Sequence, residues 1–417
     1  MNQSKTRTLA AAIALLIAAM AVPVSMMAAE SPAMPGMPGM KMPVATAGAD
    51  IKITDPTSVV MIVNRDSNDI SFMDIKTKKM VGKTFLGNNV NPHMVMMSPD
   101  GRYVVTGGTR ANKAYVIETA TLKLVKAIDV DIAPEHLSFS PDSRWYYQGN
   151  PDGDSVSVID MQSLTKVKTI NGLAEPLNVT FLPDGSKAYV GNYGAHWVGV
   201  IDVKRHELLK KIQISPVQNR AGLDPDRYLG EIKGINMAAL ANDGRYLYAA
   251  DSDLDVVGVI DSREDKIVKV IPVGKDPWRI YMGHDGKYAI TVNNGDETIS
   301  IIDLKKNEVA ATLEAGPAMT GVNFAAGKAF VISSTSGFVY VYDMSTLKSA
   351  GRIKIGTNVQ LETATTDVAD EKIYLANSTE NSVIIIDGKT QAIERVANVG
   401  LYPWGTHIME SKDNYCH

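Results

Sequence analysis

The feature that most constrains this chain is a five-residue shape, Ile299-Ser300-Ile301-Ile302-Asp303, that occurs eight times. The copies occupy residues 70–74, 114–118, 156–160, 198–202, 257–261, 299–303, 339–343 and 383–387, each largely apolar and closed by an acid. The closing acids are 44, 42, 42, 59, 42, 40 and 44 positions apart, a period near 42 broken by one insertion. Such self-similarity marks a repeat protein, and a four-stranded unit of about 40–45 residues is a β-propeller blade.

Residues 276–317 show one unit in full. Residues 278–282 form a short apolar segment, His284-Asp285-Gly286 a turn, 288–293 a second strand, Asn294-Gly295-Asp296 a turn, and 299–303 and 309–313 the last two strands. The first turn recurs as Ser98-Pro99-Asp100-Gly101, Ser140-Pro141-Asp142-Ser143, Leu182-Pro183-Asp184-Gly185 and Ala241-Asn242-Asp243-Gly244. Proline presets φ in these turns, and Asp and Gly close the bend. The third strand is apolar on both faces because neighbouring blades cover both. Its closing acid is expected to accept backbone N–H bonds from the following turn, which makes the eight acids structural rather than catalytic.

Strand counting sharpens the architecture. The first unit has 59–63, 70–74 and 80–84 but no inner strand before them, whereas Tyr402-Pro403-Trp404-Gly405 matches the blade opening Asp276-Pro277-Trp278-Arg279 and nothing strand-like follows it. The expected fold is all-β: a single eight-bladed propeller of four-stranded antiparallel blades, closed by the C-terminal strand pairing with the N-terminal blade, which leaves no open edge. Seven blades is the alternative count.

The ends do not repeat. Residues 1–29 carry Lys5 and Arg7, an apolar run over 9–22 and small residues to Ala29, the order of a secretory signal peptide. The run is too short to span a bilayer as a helix, so the expected product is periplasmic or otherwise exported, with no stable membrane span. Residues 30–57 are a Met/Pro/Gly-rich flexible segment, 58–410 the propeller and 411–417 a tail. Removing the leader takes the net charge from −4 to −6, which argues against nucleic acid as a partner. The single cysteine, Cys416, rules out an intramolecular disulfide and the Cys-x-x-Cys-His attachment of covalent haem.

The short inner strand, Ser-Pro-Asp-Gly, a strand such as Ala188-Tyr189-Val190-Gly191-Asn192 or Ile373-Tyr374-Leu375-Ala376-Asn377, and then Val-x-Val-Ile-Asp together resemble the YVTN family of bacterial propellers over residues 58–409. That resemblance implies export and a ligand-binding role. The eight-blade count is also similar to the propellers that hold d1 haem in cytochrome nitrite reductases and haem-biogenesis proteins. This second resemblance implies histidine ligation in the channel and basic residues for the haem carboxylates.

Connections from outer to next inner strand, and from second to third strand, share one face around the channel. That face collects His93, Glu135, His136, His196, Asn236, Trp278, Arg279 and Trp404, convergent polar and aromatic groups of the kind that line ligand sites. His93 in Asn91-Pro92-His93-Met94 and His136 in Pro134-Glu135-His136-Leu137 read as near equivalents offset by one residue. The insertion brings Arg220, Arg227 and Tyr228 to the same face, suited to an anionic ligand or partner. On the opposite face Met34, Met37, Met40 and Met42 with Cys416 and His417 form a soft-ligand set suited to copper(I), the alternative being two unstructured tails.

The expected protein is an exported, monomeric binding protein using its channel face for a small ligand or protein partner, with a link to copper or redox handling. The rival is a noncovalent haem protein with an electron-transfer, reductase or cofactor-biogenesis role. No Gly-x-Ser-x-Gly or metalloprotease spacing is present, so no residue is assigned a catalytic role.

Overall fold

The computed structural model describes residues 53–214 and 232–413. Thirty-two strands form eight four-stranded antiparallel sheets, each one blade of a propeller. Blade 1 takes Val59–Asn64, Asp69–Asp74 and Met80–Phe85, and its inner strand is Pro403–His407 from the other end of the chain. The seam is an antiparallel pairing in which Met61 faces His407 and Ile62 faces Thr406. Among the described residues there is no α-helix, and no helix is long and apolar enough to cross a membrane.

Burial explains the repeat. The second and third strands are buried on both faces, as in Lys187–Asn192 and Trp197–Asp202, while fourth strands such as Lys348–Lys354 are mostly exposed. Apolar clusters lie between consecutive blades: one joins Val60, Ile62 and Met73 of blade 1 to Tyr374, Val383 and Ile385 of blade 8. Tyrosines at the middle of second strands reach into the next blade. Tyr147 Oη meets His206 Nδ1 at 2.7 Å, Tyr189 donates to Asp265, and Tyr248 donates to Asn307 Oδ1 at 2.5 Å. Each is buried and bonded, so the phenol adds directional locking to apolar burial.

The closing acids behave as the turn chemistry requires. Asp160 accepts from Gln162 N at 2.8 Å, Asp303 from Lys305 N and Lys306 N at 3.0 Å, and Asp387 from Thr390 N at 2.8 Å. Asp74, Asp202, Asp261 and Asp343 do the same. Glu118 differs: its longer side chain takes the Thr121 hydroxyl at 2.8 Å.

From the end of Pro403–His407 the described chain crosses to blades 6–8, which capture Asp413. Its carboxylate bonds His284 Nε2 at 2.7 Å and accepts from Phe324 N at 3.0 Å, Asn323 Nδ2 at 3.2 Å and Thr366 Oγ1.

Candidate functional site

Each inner strand begins with a break in its ladder. Pro92 pairs with Gly108 and Val95 with Thr106, so His93 and Met94 together oppose one residue. The same skip occurs at Pro176/Val179, Ile235/Ala238, Pro277/Ile280 and Leu361/Ala364. At the seam Trp404 is the extra residue between Pro403 and Gly405, and in blade 3 the ladder starts only at Leu137. A bulge bends the strand and re-aims side chains. Proline, having no N–H to give the ladder, favours it at the first position of an inner strand. The residues before these prolines, Asn91, Glu175, Asp276 and Tyr402, are left-handed with φ of 52, 44, 51 and 55°.

Aligning the strands by these pairings puts Trp404, His93, Glu135 and Leu177 of blades 1–4 at one position, with Asn236, Trp278, Thr320 and Glu362 of blades 5–8. This is a ring around the channel mouth. His93, Glu135, Trp278, Thr320 and Trp404 keep partial access. His136 and Arg279 lie one residue further along and are each 3% exposed, held between blades. The register partner of His93 is therefore Glu135, and His136 occupies the next, buried position. The two imidazoles still meet edge to face, with centroids 5.9 Å apart.

Two guanidinium groups are stacked on indoles of this ring. Arg65, in the turn after Val59–Asn64, lies with its guanidinium carbon 4.2 Å from the Trp404 ring centroid and 5.7 Å from that of Tyr402. Arg279 lies 5.4 Å from the Trp278 ring and donates Nε to Asn236 Oδ1 at 2.7 Å. Such stacking fixes a cation while leaving its in-plane N–H groups for an anion. The Trp404 ring is also 5.2 Å from His93.

Burial sets the protonation states. Desolvation, with Arg65 and Arg279 adding repulsion, holds His93 down to about 3, so its ring is neutral. Desolvation pushes Glu135 up to about 7, Asp152 adding to the rise and Arg279 and Arg65 opposing it. Desolvation likewise raises Glu362 to about 7 against its bonds from Ser378 and Gln360 and the attraction of Arg65. Near neutrality two fixed positive charges thus face two carboxyls that are each only partly ionised.

Three buried donors beside Arg65 lack acceptors: its own Nε, Trp404 Nε1 and Asn91 Nδ2. Asn91 Oδ1 accepts from Arg65 Nη2 at 3.4 Å, so all three belong to one cluster. A buried donor left unpaired costs about 1–3 kcal/mol. His93 Nδ1 is also buried without a partner.

His196 stands apart from the ring. In the turn before Trp197–Asp202 it bonds both oxygens of Asp251, at 3.1 and 3.0 Å. Desolvation raises the Asp251 carboxyl despite that bond. Arg220, Arg227 and Tyr228 lie outside the described residues, as do Met34, Met37, Met40, Met42, Cys416 and His417. Among the described residues no group of three or more His, Cys, Asp or Glu side chains could hold a metal.

Sequence reasoning missed Arg65 and Glu362. Glu362 was within reach, because Gln360-Leu361-Glu362 aligns with Asp276-Pro277-Trp278 once the repeat is in register. Arg65 carries no repeat signal.

Fold and ring define a class: an eight-bladed propeller with two arginine–tryptophan pairs at its channel mouth. No family model and no curated protein matches the sequence. Solved structures do match, 1614 chains in number, a breadth that speaks for architecture and not for role. Dihydro-heme d1 dehydrogenase NirN, solved in complex with DHE, is similar at 17% identity over 85% of this chain and 76% of its own, with a TM-score of 0.71. Hydrazine synthase of Kuenenia stuttgartiensis is similar at 20% identity over 73% of this chain and 97% of its own, with a TM-score of 0.55. At these identities the likeness is one of fold.

Proposed function

We propose that this protein is an exported, YVTN-type binding propeller whose channel mouth takes a planar, carboxylate-bearing ligand. The observation that carries this reading is the Arg65 cluster, a guanidinium stacked on Trp404 with three buried N–H donors that have no acceptor. A carboxylate supplies acceptors to several donors at once, and charge-assisted bonds to arginine are the strong class. Trp404 and Trp278 offer faces to a flat ring system. Export rests on the pattern of residues 1–29.

Within that reading a noncovalent tetrapyrrole is the favoured ligand class. His93 is neutral, and its buried Nδ1 has no hydrogen-bond partner, which suits a residue that would ligate a metal in such a ring. Arg65 suits a propionate or acetate group of such a ring, and the buried Arg279 adds positive charge behind it. The fold likeness to a propeller solved with DHE supports the choice. The residues present thus fit the group. A bound metal macrocycle would supply the redox chemistry, while these side chains bind it, orient it and hold its carboxylates.

Haem serves as the probe. Titrating it into the mature protein is expected to give a saturable shift of the Soret band, with His93→Ala altering the shift and retaining binding. Absence of saturable binding by both haem and metal-free protoporphyrin overturns the reading.

A further inference from the structure

The far end of the channel has a different chemistry. A cavity of about 360 Å³ is lined by Met96 and Met97 of blade 2, Ser138 of blade 3, and His407, Met409 and Glu410 at the end of the closing strand. His407 is 6% exposed and makes no hydrogen bond. Met409 is held over the Ser98–Gly101 turn, its sulfur 3.5 Å and its methyl 3.4 Å from where a Cβ on Gly101 would sit.

We propose that this cavity is a site for a soft monovalent metal ion, copper(I) by its chemistry, held by the His407 imidazole and the thioethers of Met96 and Met409. Thioether sulfur selects copper(I) and related soft ions, while divalent ions prefer imidazole, thiolate and carboxylate sets. The donors here are neutral, so an ion of low charge is favoured, and Glu410 at the rim can balance it. A methionine beside an apolar core is ordinarily a gap filler. What departs from that pattern is the unpartnered, buried imidazole opening into the same cavity as the thioethers.

The test is a competition titration of copper(I) against a chromophoric chelator under reducing, anaerobic conditions. The protein is the full chain carrying Met34→Leu, Met37→Leu, Met40→Leu, Met42→Leu, Cys416→Ser and His417→Ala, so that the tail residues of that set contribute nothing. One ion per chain is expected at pH 7. Met96→Leu and Met409→Leu, which preserve volume, are each expected to weaken binding by at least about tenfold without loss of fold by circular dichroism. No stoichiometric binding in the parent, or unchanged affinity in both folded variants, overturns the proposal.

Discussion

The Arg65 guanidinium lies 4.2 Å from the Trp404 ring, although 339 positions separate the two residues in sequence. They meet only because Val59–Asn64 pairs with Pro403–His407. The pairing that closes the ring therefore also assembles the donor cluster, so the proposed ligand binding is linked to ring closure.

Removing the closing strand tests that coupling. A chain truncated after Gly400 leaves the backbone of Val59–Asn64 unpaired on one side and uncovers Val60 and Ile62, which are fully buried in the intact protein. Calorimetry is expected to show loss of the cooperative transition, and the 1–400 chain is expected to aggregate through its open edge.

Charge in the mouth predicts a pH dependence of binding. Glu135 and Glu362 are both raised to about 7, so lowering the pH from 8 to 6 neutralises them and leaves Arg65 and Arg279 uncompensated. Affinity for an anionic ligand is expected to rise by at least about threefold over that interval, given an effective dielectric near 20. Fluorescence titration of Trp404 and Trp278 quenching at the two pH values checks it.

The same shift predicts a stability effect of known sign. A carboxyl whose folded value exceeds its unfolded value binds more protons when folded, so stability falls as pH rises from 4.5 through 7. For Glu362, 4% exposed and moved from 4.5 to about 7, the loss is about 3 kcal/mol at one proton and 1.36 kcal/mol per unit. Glu362→Gln, which can still accept from Ser378, is expected to raise the melting temperature at pH 8.5 and to leave it nearly unchanged at pH 4.5.

The tail latch has the opposite dependence. Burial disfavours the charged His284 ring, but the bond from Asp413 and the attraction of Asp413 and Asp370 together outweigh it and raise the group above 6.5. Its contribution is therefore complete below pH 6.5 and is lost as pH rises through the higher folded value. Asp413→Asn is expected to speed proteolytic removal of the C-terminal residues strongly at pH 6 and much less at pH 9.

Architecture was legible because propeller physics repeats in sequence: doubly covered third strands read as Ile299-Ser300-Ile301-Ile302-Asp303, and an unmatched Tyr402-Pro403-Trp404 called for a partner blade. The mouth was legible in part. His93, Glu135, Asn236, Trp278 and Trp404 stand at one register position, while His136 and Arg279 are displaced by a residue and buried. That displacement depends on bulges, whose positions follow from pairing across strands and not from spacing along one. Arg65 was hidden because its role arises from contact with the far end of the chain, and His407 because desolvation, invisible in sequence, sets its state.

The most direct test of the channel account compares protoporphyrin dicarboxylate with its dimethyl ester, which keeps the flat ring and removes both charges. Wild-type protein is expected to bind the diacid at least about tenfold more tightly, as loss of a charge-assisted bond of about 1.5–3 kcal/mol requires, and Arg65→Gln is expected to erase most of that preference. Equal affinity of wild type for acid and ester would contradict the account.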